Sequence, residues 1–414
     1  MEKLRKIGFS KLTPLEKAIK TLFSQIQLNP IEEVEIKDAL NRILAEDIIS
    51  EMNIPPFDRS AMDGYAVKAE DSFGASPKNP KKIRLVGTIE IGEFSSLKIE
   101  KSEGIKISTG APLPEGSDAV IKIEDTEIEN DLISLYTSLV PGKNIARKGE
   151  DIKKGTHVLN SGIDLKAEHI ALLTSLGFQK IKVRIKPKVS IFSSGDELVE
   201  PGEPLKPGKI YNSNTSMIAA LTNQYGGVVL KGETVEDDKE AIKKKLFEAA
   251  EDSQIIVFTG GTSVGTKDYL PEIINESGMV LTHGIAMRPG APALIGHLNN
   301  TLIFCLPGTP VAAYVSFLRI VGPTLRKILG CSIIDPRIEI IAAINKDVPV
   351  SGLGYLHYLR VKVEKKNDNF VAIPVKLKGS GVISSLTESN GIVEIPPHQE
   401  GLKKGEKVIV KLFP

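Results

Sequence analysis

Tryptophan is absent from this 414-residue chain, only two cysteines and six histidines occur, and the formal net charge is +1. Cys305 and Cys331 stand far apart without zinc-ligand spacing, so buried free thiols in a reducing compartment are expected rather than a disulfide. The histidines show no paired spacing, which argues against a zinc centre or a catalytic triad. With charge so near zero, no long basic run and no aromatic-plus-basic platform, a nucleic-acid partner is not expected. Long apolar runs are missing as well. GMVLTHGIAMRPGAPALIGHL is too broken by Gly, Pro, His and Arg to span a bilayer. The N-terminal MEKLRKIGFSKL carries charge with no apolar stretch behind it, which predicts no secretory signal and hence a cytoplasmic location. Internal repeats and low-complexity segments are not found.

What remains is an ordinary globular composition, 41% hydrophobic and 25% charged, in a chain long enough for several cored domains. Thr13-Pro14-Leu15-Glu16 reads as a helix start with Thr13 as cap. Leu15, Ala18, Ile19, Leu22, Phe23 and Ile26 then form one apolar face. A second short helix is expected over about 32–45. Short strands and Gly/Pro turns dominate from 52 to 149, an all-β insert by pattern. Helix returns at 166–176 and ends at Gly177. From about 187 strands alternate with helices, which implies a parallel sheet covered on both faces. Residues after about 331 return to short strands, suggesting a small barrel or sandwich.

Several loops stand out. Residues 55–67, PPFDRSAMDGYAV, join a Pro-Pro break to Ser60, Asp58, Asp63 and a glycine, a shaped loop that presents polar side chains. In QIIVFTGGTSVGTKDYLPEII a Gly-rich loop lies between a strand and a helix. Gly260, Gly261 and Gly265 would let backbone N–H groups approach an anion, and Thr262, Ser263 and Asp268 add polar groups beside them. This is neither a P-loop nor G-x-G-x-x-G. A tight turn is the plainer reading, but the carboxyl end of a parallel strand is where open α/β sheets take ligands. SIFSSGDELVEPGEP is another strand end, with Asp196 and Glu197 where a helix could begin. GEDIKKG places Glu150 and Asp151 in a turn. Together, Asp63, Asp151, Glu197 and Asp268 are either a hard-cation site suited to Mg²⁺ or scattered loop acids. Arg288 in IAMRPGAP suits an oxyanion or phosphate. Pro307 and Pro310 make a rigid strand-to-helix turn that is equally plain structure. Arg360 and Ser380 are weak candidates by themselves.

The ordered set PPFDRSAMDGYAV, STGAPLPEG, GEDI, SSGDEL, TGGTSVGTKDY, RPGAP and LPGTPVA resembles the molybdopterin molybdenumtransferase family, which includes the E domain of gephyrin and the plant molybdenum-insertion protein. The resemblance covers nearly the whole chain. It implies an elongated homodimer of four-domain subunits: a partly helical, discontinuous domain (1–51 plus 150–185), an all-β insert (52–149), an α/β molybdopterin-binding domain (186–330) and a C-terminal β-barrel (331–414). It also implies a reaction. Adenylated molybdopterin is bound with Mg²⁺, molybdate (or tungstate) is taken up, the adenylate is hydrolysed, and molybdenum cofactor and AMP leave. A transient partner adenylyltransferase is a further implication.

Carried over by motif, Asp63, Thr109, Asp151, Glu197 and Asp268 match functionally important polar positions. Glu197 and Asp268 would serve Mg²⁺, Gly260, Gly261, Thr262 and Ser263 the phosphates, and Arg288, Arg360 and Ser380 the oxyanion, with Pro307 and Pro310 in the family's proline turn. Three positions depart from the family: Ala291, Gly284 and Ala146 stand where relatives carry basic residues. Each lost charge-assisted hydrogen bond would cost on the order of 1.5–3 kcal/mol. Two alternatives follow, a molybdopterin adenylyltransferase and a non-catalytic carrier or scaffold.

Overall fold

The computed structural model describes residues 12–93, 96–261, 269–375 and 379–414. Its contacts divide the chain into two units. One holds Asp47–Asn160 and Glu168–Gln179; the other holds residues up to Glu46, Ser161–Ala167 and Lys180–Pro414.

The larger unit is built on a 6-stranded sheet ordered Val228–Val235, Lys188–Ser194, Ile255–Thr259, Thr301–Leu306, Leu294–Leu298 and Met279–His283. The first four strands run parallel, Leu294–Leu298 runs opposite to them, and Met279–His283 pairs antiparallel to Leu294–Leu298. Alternation explains why both faces are covered. Val189, Ile191, Ile255, Val257, Phe304 and Leu306 enter one core, while Phe192, Ile256, Phe258, Ile303 and Cys305 enter another. Strands apolar on both sides need a layer on each face. The helices Asn214–Gln224 and Pro310–Ser316 supply the first layer through Ile218, Leu221 and Val311. Lys239–Asp252 and Leu270–Ser277 supply the second through Ile242, Leu246 and Ile273. Asp238 caps its helix as an acidic residue should, accepting from the Ala241 N–H at 3.0 Å. Neither cysteine forms a disulfide, and both are buried.

The helix Leu15–Phe23 joins the first core through Leu15, Ala18 and Leu22, the expected face. Its cap differs from expectation. Pro14 takes the capping position, because Thr13 is drawn into a bridge with Ile285, giving its N–H to Gly284 O and accepting from the Ala286 N–H. The second helix expected over about 32–45 is replaced by the strand Ile31–Glu35 and a single 3₁₀ turn, Ile36–Asp38. Val34 pairs across from Ile181 of Lys180–Arg184, so the short apolar pattern is resolved by a partner strand far along the chain. No helix begins at Asp196 either: Leu198–Val199 is a short strand paired with Ile210–Tyr211.

The C-terminal strands Glu339–Ile344, Leu356–Lys366, Asn369–Pro374, Gly391–Ile395 and Lys407–Leu412 close on themselves as a barrel, through pairing of Leu356–Lys366 with both Asn369–Pro374 and Gly391–Ile395. Its interior holds Ile344, Val361, Val393 and Val410. Met287–Arg288 adds to the barrel in parallel, placing Arg288 opposite His357.

In the smaller unit a 6-stranded sheet is ordered Ala119–Lys122, Gly64–Val67, Glu103–Ile107, Lys81–Ile89, Leu132–Leu135 and Thr126–Glu129. Tyr65 and Val67 pack on one side and Ala66 on the other. The helix Ala167–Ser175 ends as expected: Gly177 has φ +82, and the Phe178 N–H returns to Leu173 O. Among the described residues no helix is long and apolar enough to cross a membrane.

Candidate functional site

Three parallel strands, Lys188–Ser194, Ile255–Thr259 and Thr301–Leu306, end at one cleft of about 810 Å³. It is bounded by Ser194, Glu197, Asn214, Gly260, Gly261, Pro307 and Pro310. Gly260 and Gly261 have φ +92 and +62, values that suit glycine. A Cβ on Gly260 would stand 2.4 Å from the Ser194 carbonyl oxygen, so the two strand ends come as close as they do only because the side chain is missing. The Gly260 N–H is held by Leu306 O at 3.1 Å. Beneath the cleft the Ser193 hydroxyl bonds Thr215 at 2.8 Å and Thr259 at 2.7 Å, and Asn212 Nδ2 donates to Thr215 and Thr234, both at 2.9 Å. This polar seam holds the strand ends in register.

Two oxygens at the cleft are conspicuous. Asn214 donates from Nδ2 to Gly308 O at 2.7 Å, tying the helix start to the Pro307–Pro310 turn, while its buried Oδ1 has no partner among the described residues. Ser194 Oγ is also buried and has no hydrogen-bond partner among the described residues. An orphaned buried oxygen costs free energy until a ligand satisfies it, so the cleft is prepared for a hydrogen-bonding occupant. Glu197 is exposed, and its carboxylate folds back over Gly195, where a Cβ would meet Oε2 at 2.6 Å.

A second cavity of about 340 Å³ is lined by Arg288, Ser351, His357, Arg360, Gly379 and Ser380. Arg288 donates to Ser351 Oγ at 3.1 Å and stacks on the Tyr355 ring, its Cζ 3.8 Å from the centroid. Arg360 is 6% exposed, and burial pushes its guanidinium down from the ordinary arginine value, an arrangement that favours an incoming anion. Ser380 O accepts from the Val311 N–H at 3.0 Å, so the same loop touches the helix that follows Pro310. The two cavities adjoin: Pro289 and Ser380 line one, Pro292 and Gly381 the other. Gly284 and Ala291 belong to the loop around Arg288. Ala291 O accepts from the Ile285 N–H, and neither residue brings a charge.

The remaining polar loops gather in the smaller unit around the Pro-Pro motif. Asp63 accepts from the Thr109 N–H at 2.6 Å and from its hydroxyl at 2.8 Å, which holds its carboxyl below the usual range. Ser60 exchanges backbone bonds with Gly110 and Ala111. Asp151 is exposed, in a turn strapped by backbone bonds to Ile54. Asp58 accepts from the Lys148 N–H and from Arg147, so its carboxyl is also held low. Ala146 pairs with Arg59 in a short strand.

Thus Glu197, Gly260, Gly261, Pro307 and Pro310 share one cleft, Arg288, Arg360 and Ser380 share its neighbour, and Asp63 meets Thr109. Thr262, Ser263, Gly265 and Asp268 lie outside the described residues. Among the described residues no group of three or more His, Cys, Asp or Glu could hold a metal. Sequence reasoning missed Ser194, Asn214, Ser351, Tyr355 and His357. The polar run YNSNTS before a helix was a signal for Asn214; Tyr355 and His357 looked like ordinary strand alternation.

Residues 13–177 match the MoeA N-terminal region (domain I and II), residues 190–327 the family described as "Probable molybdopterin binding domain", and residues 349–413 the MoeA C-terminal region (domain IV). A molybdopterin biosynthesis protein of Methanocaldococcus jannaschii is 37% identical over 97% of this chain and 98% of its own length. The molybdopterin molybdenumtransferase of Bacillus subtilis is 34% identical over 97% of this chain and 94% of its own. Among solved structures, a molybdopterin biosynthesis MoeA protein of Pyrococcus horikoshii superposes with a TM-score of 0.84 at 39% identity, covering 98% of this chain and 100% of that one. Domain content, near-complete mutual coverage and fold agree, and the chain belongs to the molybdopterin molybdenumtransferase (MoeA) family of transferases.

Proposed function

We propose that this chain inserts molybdate or tungstate into adenylated molybdopterin in a Mg²⁺-dependent reaction that hydrolyses the adenylate and releases AMP, giving molybdenum cofactor. The observation that carries the reading is the adjoining pair of cavities, one glycine-rich at parallel strand ends, the other walled by Arg288 and Arg360. The orphaned Ser194 hydroxyl, beside Gly260 and Gly261, is a ready donor to a phosphate oxygen. Mg²⁺ is commonly held by one or two carboxylates plus substrate phosphates; Glu197 at the cleft fits such a donor set, with Asp268 assigned the same role. When bound, the cation would neutralise phosphate charge during attack by water. Arg288, Arg360 and Ser380 receive the oxyanion, guanidinium planes suiting its paired oxygens. Asp63, Thr109 and Asp151 complete the set of functional polar residues. Dithiolene sulfurs of the substrate supply the soft metal ligands, in keeping with two buried cysteines.

The working subunit is taken as four domains, 1–51 plus 150–185, 52–149, 186–330 and 331–414, in a cytoplasmic homodimer that receives substrate from a molybdopterin adenylyltransferase. Neutral residues at 284 and 291 favour one competing reading, a carrier that binds pterin without turnover. The test is AMP release from adenylated molybdopterin by purified protein with Mg²⁺ and molybdate, tungstate or neither. Oxyanion-dependent release that disappears in Asp268→Ala is expected. Tight pterin binding without release under any oxyanion would establish the carrier, and a requirement for ATP the adenylyltransferase.

A further inference from the structure

Among the described residues, His357 and Tyr358 are the ionisable side chains lining the oxyanion cavity besides its arginines. His357 lines it and stands directly across the strand pair from Arg288. No Asp or Glu lines the cavity among the described residues. His357 Nε2 lies 2.8 Å from Gly352 O. A carbonyl oxygen only accepts, so this contact requires the proton on Nε2. The tautomer is thereby set, and Nδ1 is the nitrogen whose character changes. In the neutral ring Nδ1 is a lone-pair acceptor, which repels an oxyanion; in the imidazolium it becomes an N–H donor carrying positive charge.

The other groups around the ring do not replace this role. Just before its strand, Tyr355 lies edge-on at 6.3 Å between centroids and is already stacked under Arg288. Tyr358 and Arg360 follow on the same strand, with Arg360 lining the cavity. On the neighbouring strand Ile395 faces His357, and Glu394, one position away, is taken by Arg319 at 3.0 Å and Lys411 at 3.5 Å. Ser351, from the preceding loop, is bonded to Arg288.

We infer that His357 is a further oxyanion-binding residue, acting as a donor from Nδ1 in its protonated form, so that capture of the oxyanion is coupled to uptake of one proton from solvent. The inference rests on the reading of this cavity as the oxyanion site.

The experiment is calorimetric titration of the full-length protein with molybdate from about pH 6 to about pH 8, the range in which an imidazole changes charge. It is run in two buffers of different ionisation heat, for wild type, His357→Gln and Arg288→Ala. Expected are a wild-type affinity that falls by up to about tenfold per pH unit on the alkaline side, a buffer-dependent heat corresponding to proton uptake, and a His357→Gln protein that binds weakly at every pH with neither signature. Arg288→Ala should lose affinity while retaining the pH slope. Wild-type binding that is strong but independent of pH and buffer overturns the role of His357, as does a slope that survives in His357→Gln. Absence of molybdate binding by wild type at any pH overturns the site assignment itself, and this inference with it. Thermal unfolding of His357→Gln checks that it is folded, and the wild-type proton uptake stands without the variant.

Discussion

Replacing Gly260 with alanine tests whether close approach of two strand ends shapes the cleft. At φ +92 an L side chain is strained, by about 1–2 kcal/mol. The new Cβ would also lie 2.4 Å from the Ser194 carbonyl oxygen, well inside the 3.0 Å that real Cβ contacts respect, so the backbone must open by more than half an ångström. Overpacking of that kind adds about 1–3 kcal/mol. Gly208 is the control, since it shares the larger unit and a positive φ of +80 but has nothing within 4 Å of its Cβ position. Both variants gain the same small benefit from a stiffer unfolded chain. Their difference therefore isolates the steric contribution, about 1–3 kcal/mol. Urea unfolding of the two proteins at equal slope gives that difference, and AMP binding gives its consequence for the cleft. If Gly260→Ala is no more destabilised than Gly208→Ala and binds AMP normally, the approach to Ser194 neither constrains the loop nor shapes the cleft.

Two further outcomes follow from charges. Burial pushes the Asp335 carboxyl up, but Arg337, bonded at 2.8 and 2.7 Å, and Lys411 outweigh it and hold the group at about 2. Because the folded value lies below the unfolded one, this stability is present above about pH 4 and is lost as pH falls toward 2, a contribution of about 2 kcal/mol. Asp335→Asn should remove that acid-range slope and, by leaving the Arg337 side chain buried without its carboxylate, cost about 3–5 kcal/mol at neutral pH; unfolding measured against pH checks both. Ala291→Lys returns a cation beside the oxyanion cavity and should tighten molybdate binding by about 1.5–3 kcal/mol in calorimetry. Unchanged affinity would show that position 291 does not face the anion.

Element type was legible wherever the apolar pattern was long. Val189 to Ser194 and Ile255 to Thr259 read as strands buried on both faces, and the helix after Val228–Val235 carries its own cap at Asp238. Short segments failed. The stretch from Ile31 to Glu35 has too few residues to distinguish a helical from a strand period, and its partner, Lys180–Arg184, is distant in sequence. Thr13 has the side chain of a cap but spends its backbone on Gly284 and Ala286. In the site, residues within recognisable motifs, such as Gly260, Arg288 and Pro310, were found, whereas Asn214 and His357 acquire meaning only from Gly308 and Gly352.

The sequence by itself determined the local conformations: which runs are apolar on both faces, where glycine permits a positive φ, and where proline interrupts. These depend on a residue and its near neighbours, so the chain states them directly. Tertiary structure alone decided which loops share a cavity. Arg288 meets Ser351 and Asn214 meets Gly308 across long stretches of chain, through single hydrogen bonds that leave no periodic trace. Such contacts exist only once the parallel sheet and the barrel have closed around them, which is why the two cavities could not be read from a list of polar loops.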